Sequence, residues 1–286
     1  MQRSDHRRPS RRGERGFTLI EAVMVIALTG ILLAVVGRFI VAPVQAYLSV
    51  SARAGLTDAA DGALRRIGRD LRGALPNSAR TSADGLSLEF IPVSGMARYS
   101  TGGSDPLLFG TLDSSFNLIG PGLTLSSGQQ LVFYNLGTGV VGSDAYAANS
   151  SATEQASANR RGFTNAAGSA STINLSSLAG LPVAALAAPY RVALIDPPVT
   201  YHCDLSARTL TRHAGYGFLA TQAGRPSSGS SQLLATGVTA CRFSVDNAVV
   251  AARAGLVMMS LTLTTATPTA DETVSLHHAV HVDNLP

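Results

Sequence analysis

Glu21 is the only charged residue between Phe17 and Gly37. A carboxylate placed in such a run needs a partner, because it costs about 2.5–3.5 kcal/mol at the centre of a bilayer and less near the interface. The run holds about twenty-one residues, which at a rise of ~1.5 Å gives a helix of ~31 Å, the thickness of a bilayer core. Gly30 and Gly37 are tolerable in it. The local partner is a new amino terminus. A cut after Gly16 would leave Phe17 with a positive amine close to Glu21 along the chain. Its own helix could hold that amine near, and a neighbouring copy could meet it better. The chemistry offered by this spacing is an ion pair created by proteolysis.

The remaining reactive residues are sparse. Cys203 and Cys241 are the only two cysteines. In an oxidising compartment an even count predicts one disulfide, and the other reading is a pair of buried thiols. A nucleophilic cysteine would lack a recognisable base beyond the adjacent His202. His277 and His281 share a face of an expected strand, but about 13 Å of extended chain separates them, too far for one ion at ligand distances of about 2 Å. Strands beside them could bring in His202 or His213, although no pattern predicts it. His278 falls on the apolar face and reads as a core histidine with a hydrogen bond. There is no P-loop, nucleophile elbow, EF-hand loop or HExxH. The sequence therefore predicts no catalytic residue, no metal site and no cofactor.

The stretch Gly16-Phe17-Thr18-Leu19-Ile20-Glu21 resembles the processing site of type IV prepilins and of type II secretion pseudopilins. The resemblance implies a prepilin peptidase that cuts between Gly16 and Phe17 and methylates the Phe17 amine. It also implies that Glu21 pairs with the Phe17 amine of an adjacent subunit, that other pilins or pseudopilins are partners through their N-terminal helices, and that an inner-membrane platform assembles them. A second likeness covers Leu64 to Arg72, which is similar to the helix end shared by the type II secretion minor pseudopilin J and the larger minor pilins. Ala74 to Arg80, Leu88 to Pro92, Pro198 to Cys203, Leu210 to Arg212 and Tyr216 resemble the minor pilins of the MSHA-pilus biogenesis MshO type. The other readings of the N-terminus are an ordinary signal anchor and a secretory signal cut near Ala42 to Ala46. Glu21 and the length of the run argue against the secretory signal.

The elements that must position these residues follow from charge and periodicity. Arg3, Arg7, Arg8, Arg11, Arg12 and Arg15, against Asp5 and Glu14, account for the whole formal charge of +4, and the rest of the chain sums to zero. Removal of the leader removes the basic balance, so composition does not point to nucleic acid. The leader arginines keep the N-terminus cytoplasmic by the positive-inside rule. The expected location is a single pass of the bacterial inner membrane with a periplasmic C-terminal domain, and afterwards a pilus or pseudopilus.

Residues 1–16 are the leader and 17–75 one long helix, with 17–37 spanning the membrane or forming a filament core. Pro43 removes one backbone donor and kinks the axis. Beyond it Ala60, Leu64, Ile67, Leu71 and Leu75 recur at steps of three and four and form one apolar stripe. Arg65, Arg66, Arg69 and Arg72 lie mostly off it and read as a solvated face, the other reading being a phospholipid contact. Asp61 with Arg65, and Arg66 with Asp70, are spaced to pair. Pro76 and Asn77 stop the helix.

Residues 76–286 read as an extracytoplasmic β-rich domain. Leu86, Leu88 and Phe90 face one way, and Ser87 and Glu89 the other. Leu131 to Tyr134 is a second strand. Val199 to Cys203 and Thr209 to Arg212 form a hairpin. Val257, Met259, Leu261 and Leu263 alternate with polar neighbours as in a half-buried antiparallel strand. Glu272 to Val282 is the last strand. Residues 142–180, rich in Ser, Ala and Gly, have no sustained period and read as a long surface excursion. The fold class is α+β and pilin-like, a long helix packed on an antiparallel sheet domain. Three function classes compete: a low-copy minor pilin or J-like pseudopilin, a membrane-anchored periplasmic adhesin or binding module, and an enzyme, for which no constellation speaks.

Overall fold

The computed structural model describes residues 16–222, 224–246, 254–268 and 270–283. The leader up to Arg15 lies outside the described residues. The chain divides into two units, Met1–Ser51 and Ala52–Pro286. In the first, the described residues form the start of helix α1, Leu19–Arg72, with Pro43 inside it. Apolar residues occur all round this part of the helix, and none of it is buried by the protein itself. A helix of that kind is stable in lipid or among other helices rather than in water.

The second unit begins with the amphipathic part of α1. Ala60, Leu64, Ile67 and Leu71 are buried, as the stripe predicts, while Arg65, Arg66, Arg69 and Arg72 are exposed. The helix stops at Arg72, three residues before the expected end. The reason is tertiary: Leu75 donates its N–H to the carbonyl of Ile91, and Val93 to that of Gly73, so residues 73–75 pair with a strand exit instead of continuing the helix. Leu75 is still buried, but in a different cluster from the stripe.

Sixteen strands follow among the described residues. In chain order β1 is Arg80–Thr81, β2 Ser87–Phe90, β3 Val93–Tyr99, β4 Ser115–Ile119, β5 Leu123–Leu125 and β6 Gln130–Phe133. After the short helix α2, Ala152–Gln155, come β7 Arg160–Phe163, β8 Gly168–Ala170, β9 Thr172–Ser176 and β10 Arg191–Ile195. The last six are β11 Val199–Asp204, β12 Thr209–Ala214, β13 Ser230–Thr236, β14 Val238–Asp246, β15 Ala254–Ala266 and β16 Asp271–Asp283. All the strand pairings are antiparallel. They form a five-stranded sheet β1-β2-β11-β12-β13, a closed barrel β10-β3-β4-β9-β7-β6, a three-stranded sheet β14-β15-β16 and the small pair β5-β8.

One core joins the helix stripe to both open sheets. It contains Leu64, Ile67 and Leu71 from α1, Phe90 and Tyr201 from the five-stranded sheet, and Phe243, Met259 and Val280 from the three-stranded one. Val257, Met259, Leu261 and Leu263 are all buried, as their alternation predicts, and the β11–β12 hairpin forms in the expected place. Asp70 fastens the end of the helix to this hairpin. It accepts a hydrogen bond from the Tyr201 hydroxyl at 2.6 Å and one from Arg212 Nε at 3.1 Å. Burial and the nearby carboxylate push the Tyr201 phenol up, so it stays a donor.

Cys203 of β11 and Cys241 of β14 form a disulfide with a Cα–Cα distance of 6.3 Å, which joins the two open sheets. The cysteines are 38 residues apart in sequence. In the chain-entropy description such a link stabilises by ~3–4 kcal/mol. Native, unreduced protein is expected to resist alkylation at both positions. Reduction should lower stability by about that amount in a denaturant titration, and no loss would mean that the link is energetically idle.

Residues 142–180 are not an irregular excursion. They supply α2 and strands β7 to β9, and β7 and β9 help close the barrel. Ile173 and Leu175 enter a barrel core that also contains Tyr99, Phe116 and Phe133. Much of the order comes from polar side chains that take the place of sheet contacts. The Asn159 side-chain amide donates to the Phe133 carbonyl at 2.9 Å, and Asn165 brackets β9 through the Thr172 carbonyl and the Asn174 N–H. Arg161 is fully buried and donates to the carbonyls of Gln155, Ala158, Arg160 and Gly180. Burial pulls its pKa down to about 10, which leaves it charged at neutral pH. The charge is met by peptide dipoles rather than by a carboxylate, and it ties the end of α2 and the start of β7 to the loop at Gly180.

The polar face of β2 is also a correction. Ser87 and Glu89 are as buried as Leu88 and Phe90. Glu89 takes Arg80 Nε at 2.7 Å and the Tyr216 hydroxyl at 2.9 Å. Since the single phenolic proton goes to Glu89, Thr200 is the donor in its 2.7 Å contact with Tyr216. Arg80 continues the network to the carbonyls of Leu219 and Ala220 and lies 3.5 Å above the Tyr146 ring.

Two histidines on the same side of this sheet are expected to make stability depend on pH. Ser87 Oγ contacts His202 Nδ1 at 2.8 Å, and Thr211 Oγ1 contacts His213 Nε2 at 2.9 Å. Burial lowers the pKa of both. The unfolded chain therefore binds more protons below about pH 6.5, and stability falls as pH drops through that value. The melting temperature is expected to decline between pH 7.5 and pH 5, and the decline should flatten in a His202→Gln/His213→Gln variant. An equally steep decline in that variant would remove the two rings as its cause.

Candidate functional site

The candidate site is the start of α1. Helix geometry begins at Leu19, directly after Thr18. The Thr18 carbonyl accepts from the Ala22 N–H at 3.2 Å, and its hydroxyl accepts from the Glu21 N–H at 3.3 Å. Thr18 is thus the cap of the helix, and the spacing Thr18-x-x-Glu21 is that of a capping box. Thr18 is the residue that sequence reasoning missed, although this spacing was there to be read. Glu21 sits in the first turn, where a carboxylate complements the positive end of the helix dipole.

Gly16, Phe17 and Glu21 are exposed, with Phe17 at 73%. Gly16 has no atom other than its chain neighbours within 4 Å of where a side chain would start. The described part of the segment is thus exposed and leads into a capped helix. Residues 11–37 match the model of the prokaryotic N-terminal methylation motif. The chain carries a prepilin-type N-terminus. That motif supports a place among type IV pilin-like proteins and pseudopilins, assembly with other pilins, and processing by a prepilin peptidase. Together with the apolar helix, it points to a single-pass, membrane-anchored subunit. No curated protein and no solved structure matches the chain.

Beyond the prepilin-type N-terminus, the other candidate residues are dispersed. Cys203 and Cys241 are joined to each other. His277 and His281 lie exposed on β16, whereas His202 and His213 lie in the five-stranded sheet with their rings 6.5 Å apart. Among the described residues, no group of three or more His, Cys, Asp or Glu is arranged to hold a metal ion. His278 is half-buried against Gly68 of the helix, and the expected hydrogen bond is not formed with any described residue.

Proposed function

We propose that this chain is a minor pilin of the MSHA or type IV pilus kind, a low-copy subunit that initiates or caps a filament. The observation that carries the reading is the overlap of the methylation motif at residues 11–37 with a helix, starting at Leu19, whose apolar surface the protein leaves bare. A prepilin peptidase cuts between Gly16 and Phe17 and methylates Phe17. The helix then waits in the inner membrane with its C-terminal domain in the periplasm. On assembly it is transferred to the filament core, where neighbouring helices replace lipid on its apolar side chains. Glu21 takes the Phe17 amine of an adjacent subunit, and the cost of leaving either charge unpaired in that core sets the register.

The closed barrel supports a minor rather than a repeated role, because it adds a second body to the sheet that packs on the helix. The resemblance of residues 74–80 and 198–203 to MshO-type proteins supports the pilus over a type II secretion pseudopilus of the J kind. The deciding experiment is the mass of the mature N-terminal peptide from a native host. N-methylated Phe17 is expected as its first residue. A peptide that retains earlier residues, or one that begins near Tyr47, would overturn the pilin reading.

A further inference from the structure

A cleft of about 470 Å³ lies between the last two turns of α1 and β16, lined by Arg65, Gly68, Arg69, Arg72 and His278. Among the described residues, every ionisable side chain on its wall is basic. Arg65 is held from behind by Asp61, with Nε to Oδ2 at 2.7 Å. Arg69 and Arg72 have no carboxylate partner among the described residues and are exposed. The nearby Asp70 is engaged elsewhere, by Tyr201, Arg212 and Arg66.

Two features set this cleft apart from a solvated helix face. Arg65 with Arg69, and Arg69 with Arg72, are like charges at helical contact spacing, an arrangement that destabilises a helix unless something offsets it. The helix dipole favours cations at this end, which accounts for their sign but not for the open volume among them. The other feature is Gly68. A Cβ there would come within 3.3 Å of both His278 Nε2 and Val280 Cγ2. Its absence lets the imidazole stand against the helix, so that a donor from β16 faces the cations of α1.

We propose that this cleft binds a phosphoryl group. Guanidinium forks match phosphate oxygens in bidentate geometry, and the two without a carboxylate partner, Arg69 and Arg72, suit a phosphoryl group better than a single carboxylate. A soluble phosphate ester and a phospholipid headgroup share this chemistry.

The test uses the full chain in a non-ionic detergent. Inorganic phosphate, at constant ionic strength, is expected to raise the melting temperature saturably, whereas acetate should not. Arg69→Gln/Arg72→Gln should weaken phosphate about tenfold or more, through the loss of two charge-assisted contacts. Arg69→Lys/Arg72→Lys should recover part of it. Both positions are exposed, so the phosphate-free melting temperature and the disulfide serve as checks of the fold. Phosphatidylglycerol or phosphatidylcholine is then added to the micelles. Competition of phosphatidylglycerol with phosphate identifies a lipid headgroup as the source, and its absence a soluble ester. Equal effects of acetate and phosphate, or unchanged phosphate binding in the glutamine variant, would overturn the proposal. None of these outcomes depends on the identity of the N-terminal peptide.

Discussion

Glu21→Ala is expected to leave processed protein in the membrane while lowering its share in sheared filaments about tenfold or more. In the proposed filament the carboxylate and the Phe17 amine of a neighbour are desolvated together. Removing one member of a buried pair strands the other, at a cost of roughly 3–5 kcal/mol, and each ~1.4 kcal/mol is a factor of ten. Part of that loss is recovered by water or by a slipped register, so the tenfold figure is a lower bound. Glu21→Gln should behave in the same way, because it keeps the volume and the Thr18 cap but not the charge. The measurement is the ratio of filament to membrane protein on quantitative immunoblots. A ratio equal to that of the natural chain would remove the proposed pairing even if Phe17 proved to be methylated.

The second large effect is one of stability. Arg80→Ala should destabilise the second unit by ~3–5 kcal/mol, because it leaves Glu89 buried with its main countercharge gone. The side chains of Arg80 and Glu89 are 10% and 2% exposed, so solvent does little to screen the pair. The same substitution frees the Leu219 and Ala220 carbonyls and uncovers the Tyr146 ring. At ~2–4 °C per kcal/mol for a domain of this size, the melting temperature should fall by on the order of 10 °C. Arg80→Ala/Glu89→Gln should cost less than the sum of its parts, since the amide can still accept from Tyr216 and carries no charge to bury. A loss below about 1 kcal/mol for Arg80→Ala would show that the pair behaves as a surface one.

The Arg80 network also shows where reading by period stops. Alternation correctly divides β2 into two faces, but it carries no information on what covers the polar one. Glu89 is buried because Arg80 and the loop after Tyr216 meet above it, and those residues are 9 and 127 positions away in the sequence. An ion pair between strands leaves no pattern within either strand.

The Ser/Ala-rich middle fails for a related reason. A strand is visible in a sequence when apolar side chains mark one face, and here much of that marking is replaced by backbone capture. Arg161, Asn159 and Asn165 hold carbonyls and amides that a regular sheet would pair with neighbours. Ile173 and Leu175, two residues apart and both buried, are the signal that was available within β9. The capping box of Ser151 and Glu154 would have located α2.

The sequence by itself determined the membrane-length helix, the stripe on its distal half, the strands β11, β12, β14, β15 and β16, and the methylation motif near the N-terminus. Each rests on local order: a run of one hydropathy, a period of 3.6 or 2, or a motif within six residues. Tertiary structure alone decided the closing of the barrel, the pairing of residues 73–75 that ends α1 early, the burial of Glu89 and Arg161, and the cleft that joins Arg65, Arg69 and Arg72 to His278. These depend on which distant backbone groups and charges meet. Local pattern cannot encode that, because the free energy of a buried polar group is set by its partner and not by its neighbours in the chain.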